Sequence, residues 1–471
     1  MTETPILYWT RRDFRIADNP ALCAAAARGP VIPVFIVDEV VEGHGAAPKW
    51  RLGLGAEAFG AALREAGSDL VVRRGVALDV LRALVSETGA REVHWNRLYD
   101  PAARGRDEDV KAALKTDGVA AHSHAGHVLF EPWTVETGTG GFYRVYTPFW
   151  KAVRGRDPGE ALKPPRLLAP ESWPSSQDLS GMGLDRAMDR GAAVVRPHLA
   201  VGEAAAQGRL GAFMARGIAD YAEARDDLAR DGTSHLSENL TYGEISARTC
   251  WWAGRRAIED GKAGAETFLK ELVWRDFAHH LVFHTPHIVE RNWREEWDAF
   301  PWNEDADAPE VVAWKRGRTG MDVVDAAMRE MYVTGRMHNR ARMLVASYLT
   351  KHLLSHWKIG MDWFEDCLVD WDPASNAMGW QWSSGSGPDA TPYFRVFNPE
   401  TQAEKFDPHG RYRRKWVAEL SSDPPETALS YFDAAPRGWD MSPDDDYPAA
   451  PVVDAASGRK RALEAYENRG F

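Results

Sequence analysis

ILYWTRRDFR, residues 6–15, is a β-rich apolar run that stops at a cluster of charge. Similar runs recur at Val31–Asp38, Asp69–Arg73 and Glu92–Asn96. A stretch of helical periodicity follows the later ones, at 50–66, 78–87 and 107–115. Strand–helix alternation of this kind predicts right-handed βαβ units and a Rossmann-like, doubly wound parallel sheet. Ligands of such sheets sit at the carboxyl ends of the strands. The first strand runs into Thr10-Arg11-Arg12-Asp13-Phe14-Arg15, however, and no G-x-G-x-x-G follows it, so a dinucleotide site of the usual type is not expected there. The glycines at 138, 140 and 141 read as a plain loop.

With 471 residues the chain is long enough for two domains or more. No apolar run reaches membrane-spanning length and the first residues carry no apolar leader, which predicts a soluble cytoplasmic protein without a membrane partner. Cys23, Cys250 and Cys367 form no C-x-x-C pair, which disfavours a disulfide framework or a zinc ribbon. The pairs His280/His284 and His352/His356 lack the glutamate of H-E-x-x-H, so no metal is expected. A net charge of −12 gives no long-range attraction for nucleic acid; DNA binding would need a local basic face. The 20 tryptophans, most of them beyond residue 250, suit either a large aromatic core or stacking and redox work.

The sheet domain is expected over 1–131, a Pro/Gly/Ser-rich connector over 132–197, and an all-α domain over 198–471. Helices are expected at 203–215, 218–228, 242–260, 263–283, 321–334 and 339–357. The stretch 370–399, DWDPASNAMGWQWSSGSGPDATPYFRVFNP, has little apolar periodicity and reads as a long loop walling a site. Thr233-Ser234-His235-Leu236-Ser237 ahead of a helix is either an N-cap cluster or a cradle for a diphosphate. Tyr221 and Arg225 stand four apart, and Glu271, Trp274 and Arg275 share one helical face. Asn339 and Met343 share another, beside Arg336, Arg340 and Arg342, which form either a solvated face or a phosphate-binding patch.

Taken together, WTRRDFRIADNPAL, TSHLS, ELVWRDF, MHNRARM, DWDPASN, GWQW and PYFRVFNP resemble the DNA photolyase/cryptochrome family along essentially the whole chain. The chain looks most like a bacterial class I-type cyclobutane pyrimidine dimer photolyase. The resemblance implies a U-shaped FAD inside the helical domain and UV-damaged DNA as partner, in a monomer with no obligate protein partner. Tyr221, Thr233, Ser234, His235, Leu236, Ser237 and Arg275 would hold the cofactor. Asp370, Trp371 and Asp372 would line it, with Arg342 paired to Asp370, and Asn376 would face flavin N5. Glu271 and Asn339 would bond the lesion, Met343 would sit beside them, and Trp274 and Trp382 would stack on the flipped dimer. Arg225 and Arg340 would meet the DNA backbone, and Trp380, Trp357 and Trp314 would carry electrons inward from the surface. A second chromophore, methenyltetrahydrofolate or a deazaflavin, is left open, because Ala102, Ala103, Glu290 and Thr241 stand where the antenna residues of relatives are expected.

Overall fold

The computed structural model describes residues 4–389 and 394–471; Ala390, Thr391, Pro392 and Tyr393, the last two opening the PYFRVFNP motif, lie outside the described residues. The chain forms two compact units. Unit 1 comprises Met1–Arg186, Ala200–Ala219 and Ser234–Pro286; unit 2 comprises Ala187–Leu199, Asp220–Thr233 and His287–Phe471. Among the described residues no helix is long and apolar enough to cross a membrane.

Unit 1 contains the expected parallel sheet. Its strands are β1 (Ile6–Thr10), β2 (Val31–Val37), β3 (Val71–Arg74), β4 (Glu92–Asn96) and β5 (Ala120–His124), in the order β3-β2-β1-β4-β5. Leu7 pairs with Ile32 on one side and Val93 on the other, so β1 is central. Both faces of β1 and β2 are buried. Leu7, Trp9, Ile32, Val34 and Ile36 enter one core cluster, and Ile6, Tyr8, Val31, Phe35 and Val37 the other. Burial on two sides explains why these strands read as continuous apolar runs. The helices Ala46–Glu65, Ala77–Thr88 and Pro101–Thr116 follow β2, β3 and β4.

The strand order reverses between β1 and β4, where such sheets commonly open a crevice. Here the chain's own side chains fill it. Asp13 accepts from Tyr8 Oη at 2.7 Å, Thr10 Oγ1 at 2.8 Å, Arg11 N at 2.8 Å and Asn96 Nδ2 at 2.6 Å. Asn19 caps the helix Pro20–Ala26 and accepts from Asn96 at 2.8 Å. The TRRDFR segment is therefore a buried polar clasp.

A second clasp ties the helix Ala46–Glu65 to residues 238–244. Arg51, fully buried, meets Glu238 Oε1 at 3.1 Å and both oxygens of Glu244 at 2.9 and 2.7 Å. Arg209 adds a contact to Glu238 at 2.9 Å, and Asn239 donates to Glu244 at 2.6 Å. Every oxygen of the two carboxylates thus has a partner within unit 1, as burial of charge demands.

Unit 2 is helical. One large core gathers Trp314, Met328, Met331, Tyr348, Trp357, Phe364 and Trp380 from the helices Pro309–Lys315, Asp322–Thr334, Trp357–Cys367 and Pro373–Ser384 and the turn at Tyr348. Three expectations change here. The helix expected over 218–228 shrinks to Tyr221–Ala224. The helix expected over 339–357 ends at Ser347, continues as one π-type turn over Tyr348–His352, and breaks at Leu354, whose φ is 52°. A branched side chain with positive φ is strained, and helical geometry cannot continue through it. The expected loop from 370 instead contains the helix Pro373–Ser384. Asp372 caps it by accepting from Ser375 N at 2.8 Å, and Pro373 occupies the first turn. Gly385, at φ 91°, closes it.

Candidate cofactor and substrate site

In unit 2 the helix Pro373–Ser384 sets the spacing of the main polar residues. Asp372, Asn376 and Trp380 stand four apart and so share one face. The Asn376 amide is fixed by donating Nδ2 to Met361 O at 3.0 Å, which directs its Oδ1 away from that bond. Asp370 is 9 % exposed, and Arg342 Nη2 reaches its two oxygens at 2.9 and 2.8 Å while Nε donates to Met337 O at 2.9 Å. The expected Arg342–Asp370 pair is thus formed, from the helix Asn339–Ser347 to the segment preceding Pro373. Trp371 is buried beside it.

Asn339 is exposed at the start of its helix, with Nδ2 4.0 Å from Met343 Sδ, so the two residues do share a face. Tyr221 is buried, and the Arg225 guanidinium lies over its ring at 5.6 Å. Trp382 is half-buried. The basic cluster is less free than its sequence suggests. Arg340 Nη2 is paired with Asp226 Oδ1 at 2.7 Å and its guanidinium covers the Phe406 ring at 4.4 Å, while Arg336 donates to His198 O at 3.0 Å. Each cation of that run is engaged within unit 2, a long-range pairing that helical spacing does not disclose.

The three electron-carrying candidates are all deep in the core. Trp314 and Trp357 are fully buried and Trp380 is 2 % exposed. Trp314 meets Trp380 edge-to-face, with centroids 6.2 Å apart at 75°. Trp314 Nε1 donates to Val345 O at 3.2 Å, and Trp357 Nε1 to Asn292 Oδ1 at 2.8 Å. Trp380 Nε1 is buried with no hydrogen-bond partner among the described residues. The expected path in from the surface is corrected on one point: Trp314 is a buried neighbour of Trp380, so none of the three ends at solvent. The Trp380 ring also presses on the backbone of the helix Trp357–Cys367. A Cβ built on Gly360 would stand 2.0 Å from Cη2 of that indole.

In unit 1 the helix Ala265–His284 carries Glu271, Trp274 and Arg275 on one turn. Trp274 is half-buried, and one face of its indole is covered by Tyr146 at a centroid distance of 3.6 Å and 7°. Tyr146 is itself held by donating to Lys270 O at 2.7 Å. Arg275 donates to His127 O at 2.7 Å and contacts His127 Nε2 at 2.9 Å. Burial, then the adjacent guanidinium, pushes the His127 pKa down, so the ring accepts that bond in its neutral form. Next along the helix, Asp276 Oδ2 accepts from Leu129 N at 2.8 Å and Phe130 N at 3.0 Å. Full burial raises its pKa to about 7.

Also in unit 1, Ser234 to Ser237 lead into the short helix Ser237–Thr241. His235 has φ 51°, and no side chain caps that helix start. Arg209 Nη1 holds the turn by donating to His235 O at 3.0 Å. Uncapped first-turn N–H groups suit an anion such as a diphosphate. Thr233 belongs to unit 2, following Gly232, where a Cβ would meet Ala224 O at 2.4 Å. Of the two histidine pairs set aside for metal, His280/His284 makes other bonds in unit 1: His280 Nε2 accepts from Tyr143 N at 3.1 Å, and His284 Nε2 lies 3.3 Å from Pro132 O.

The observations within unit 2 that bear on a flavin are an anchored amide at Asn376, a fixed Arg–Asp pair at 342/370 and an orphaned indole N–H at Trp380. These residues fit FAD. Sequence reasoning missed Asp226, His127 and Tyr146, each of which fixes a candidate residue from far along the chain.

Comparison with known proteins places these features in context. A family model described as "FAD binding domain of DNA photolyase" matches residues 268–468, and one described as "DNA photolyase" matches residues 6–167. The chain is 43 % identical to a deoxyribodipyrimidine photo-lyase of Agrobacterium fabrum, over 98 % of this chain and 97 % of that protein. It is 35 % identical to cryptochrome-2 of Arabidopsis thaliana, over 91 % of this chain and 72 % of that protein. A crystal structure described as a bacterial class III photolyase from Agrobacterium tumefaciens superposes with a TM-score of 0.90 at 42 % identity, covering 100 % of this chain and 98 % of the other. With the parallel sheet, the helical unit and matches of this extent, the chain belongs to the photolyase/cryptochrome family.

Proposed function

We propose that this protein repairs cyclobutane pyrimidine dimers in UV-damaged DNA, driven by light. The observation that carries the reading is the capped helix Pro373–Ser384, which holds Asn376 and Asp372 on one face beside the Arg342–Asp370 pair. Bound FAD, reduced and excited, would supply the single electron that splits the cyclobutane ring. The protein contributes placement and electrostatics. Asn376, anchored through its Nδ2, offers a neutral carbonyl oxygen to a ring N–H at the flavin edge and places no negative charge there. The bridged Asp370 carries a charge already balanced by Arg342, so it can accept from a ribose O–H or a flavin N–H without adding a net charge. Tyr221, Thr233 to Ser237 and Arg275 are the residues proposed for the remainder of the cofactor, with Trp371 and Asp372 lining it.

Glu271 and Asn339 are proposed to hydrogen-bond the carbonyls of a flipped dimer and stabilise added charge, with Met343 beside Asn339. Trp382 and Trp274 are proposed to supply stacking, one face of Trp274 being held by Tyr146. Arg225 and Arg340 are proposed for phosphate contacts. Trp380 and Trp314, in ring contact, and Trp357 are proposed to reduce oxidised flavin.

The 35 % identity to a cryptochrome supports a second reading, a blue-light receptor that binds FAD without repair. One experiment separates the two. Purified, chemically reduced protein is mixed with oligonucleotides bearing thymine dimers and illuminated with blue light. Loss of dimers in the light and none in the dark is the expected result. Intact dimers in a protein with a full complement of flavin would discard the lyase reading in favour of the receptor.

A further inference from the structure

The outer strands of the sheet carry a cluster that the flavin chemistry does not use. Glu92 and His94 alternate along β4, His122 and His124 along β5, and the parallel register sets His94 against His122 and Asn96 against His124. Alternation puts all four side chains on one face of the sheet. The opposite face of β4 presents Val93 and Trp95 to an apolar core cluster. On the polar face the His94 and His122 rings lie 4.7 Å apart, and His94 stacks on His124 at 5.2 Å and 11°.

Three ligand atoms converge. Glu92 Oε2 is 3.3 Å from His94 Nε2 and 3.8 Å from His122 Nε2, and all three lie within 4.8 Å of one another. Ligands bonded to tetrahedral zinc at about 2.0–2.1 Å stand about 3.3–3.4 Å from each other. The first separation already has this value. The second needs a small rotation of His122, whose side chain is 46 % exposed and free to make it.

The surrounding residues behave as an outer shell. His94 Nδ1 is 3.0 Å from His124 Nε2, so a proton on that nitrogen leaves the Nε2 lone pair directed at Glu92. Imidazole binds a metal through a ring-nitrogen lone pair, and the contact to His124 leaves that of His94 Nε2 on the side of Glu92. Arg28 pairs with the other oxygen of Glu92 and leaves Oε2 to the two histidines. Lys111 and Arg97 are turned to Ser123, the β5 residue of opposite facing, at 3.2 Å to Oγ and 2.5 Å to the carbonyl. His94 is 3 % exposed, so the site has a buried floor and, at His122, an open mouth.

We propose that Glu92, His94 and His122 form a three-ligand site for a divalent transition-metal ion of the zinc class, with His124 orienting His94 and the fourth position open. Two imidazoles and one carboxylate select such an ion over magnesium or calcium, which take oxygen ligands.

The test uses the full chain without a histidine tag, stripped with chelator and titrated with Co²⁺ and then Zn²⁺. Visible d–d absorption of tetrahedral intensity, saturating at one equivalent and bleached by Zn²⁺, is expected. His122→Ala, at an exposed position that leaves the fold intact, should weaken Co²⁺ binding by more than 100-fold. His124→Phe should weaken it by about 10–100-fold, the usual effect of losing an outer-shell partner. Unchanged circular dichroism and melting temperature in His122→Ala establish that the loss is local. Absence of these bands in the wild type, or bands that persist unchanged in both His122→Ala and Glu92→Gln, overturns the assignment.

Discussion

The carboxyl end of the sheet in unit 1 and the Pro373–Ser384 helix in unit 2 are both lined with polar side chains, but they use them differently. At the sheet, Asp13 takes four hydrogen bonds and Asn19 and Asn96 complete the network, so the crevice where this fold commonly binds a nucleotide is filled by its own residues. At the helix, Asn376 spends only its Nδ2 on the backbone and Trp380 Nε1 has no partner among the described residues. A satisfied network makes a rigid structural joint. A partly satisfied one, held in place by a few bonds, is ready for a ligand.

The largest effect expected from this contrast is at Arg51. Arg51→Ala leaves Glu244 buried without its cation and Glu238 with Arg209 alone, and should cost about 3–5 kcal/mol in urea unfolding. A loss below about 1 kcal/mol would mean that water enters that clasp. Asp13→Ala strands the donors of Tyr8, Thr10, Arg11 and Asn96 and should cost about 3 kcal/mol while leaving flavin content per folded chain unchanged. Flavin loss in that variant would erase the distinction between the two regions.

Asp276 gives the comparison a pH axis. Its folded-state pKa of about 7 lies above the ordinary carboxylate value, so its contribution to stability is complete below about pH 4 and is lost as pH rises through 7. Asp276→Asn should flatten the fall in urea midpoint between pH 4 and 7.5; an unaltered profile would show that the carboxylate is solvated. Arg342→Met acts on a pair that is 26 % exposed on the arginine side, so its stability cost should be only about 1 kcal/mol, while flavin affinity should drop at least tenfold. Equal effects on both would make the pair structural. Smallest of all, Asp226→Asn frees Arg340 and should tighten binding of dimer-containing duplex by a few-fold, with a steeper salt dependence. Weaker binding would place that arginine away from the phosphates.

Much of the fold is written in local pattern. Val31–Val37 is legible because a strand buried on both faces carries a nearly continuous apolar run, and Glu92–Asn96 because Val93 and Trp95 alternate with polar residues. Ala120–His124 is not, since its small and imidazole side chains give no apolar signal on an edge. Pro373–Ser384 reads as a loop because Trp, Ser, Gly and Asn make no apolar stripe, although Asp372-Pro373 is a helix-start signal in plain view. Of the candidate residues, the Arg342–Asp370 pair is implied by motif alone and is formed. The Asp226 partner of Arg340 and the buried setting of Trp314 depend on contacts between segments far apart in sequence, which no spacing rule encodes.

Gly360 has a consequence for the tryptophans. Because the indole of Trp380 rests where a β-carbon at 360 would lie, one methyl group there would push the ring aside without altering any aromatic residue. The ring contact between Trp380 and Trp314 is thereby set by a hydrogen atom on a neighbouring backbone, so the proposed route of flavin reduction would be tuned from a position that carries no chromophore and no charge.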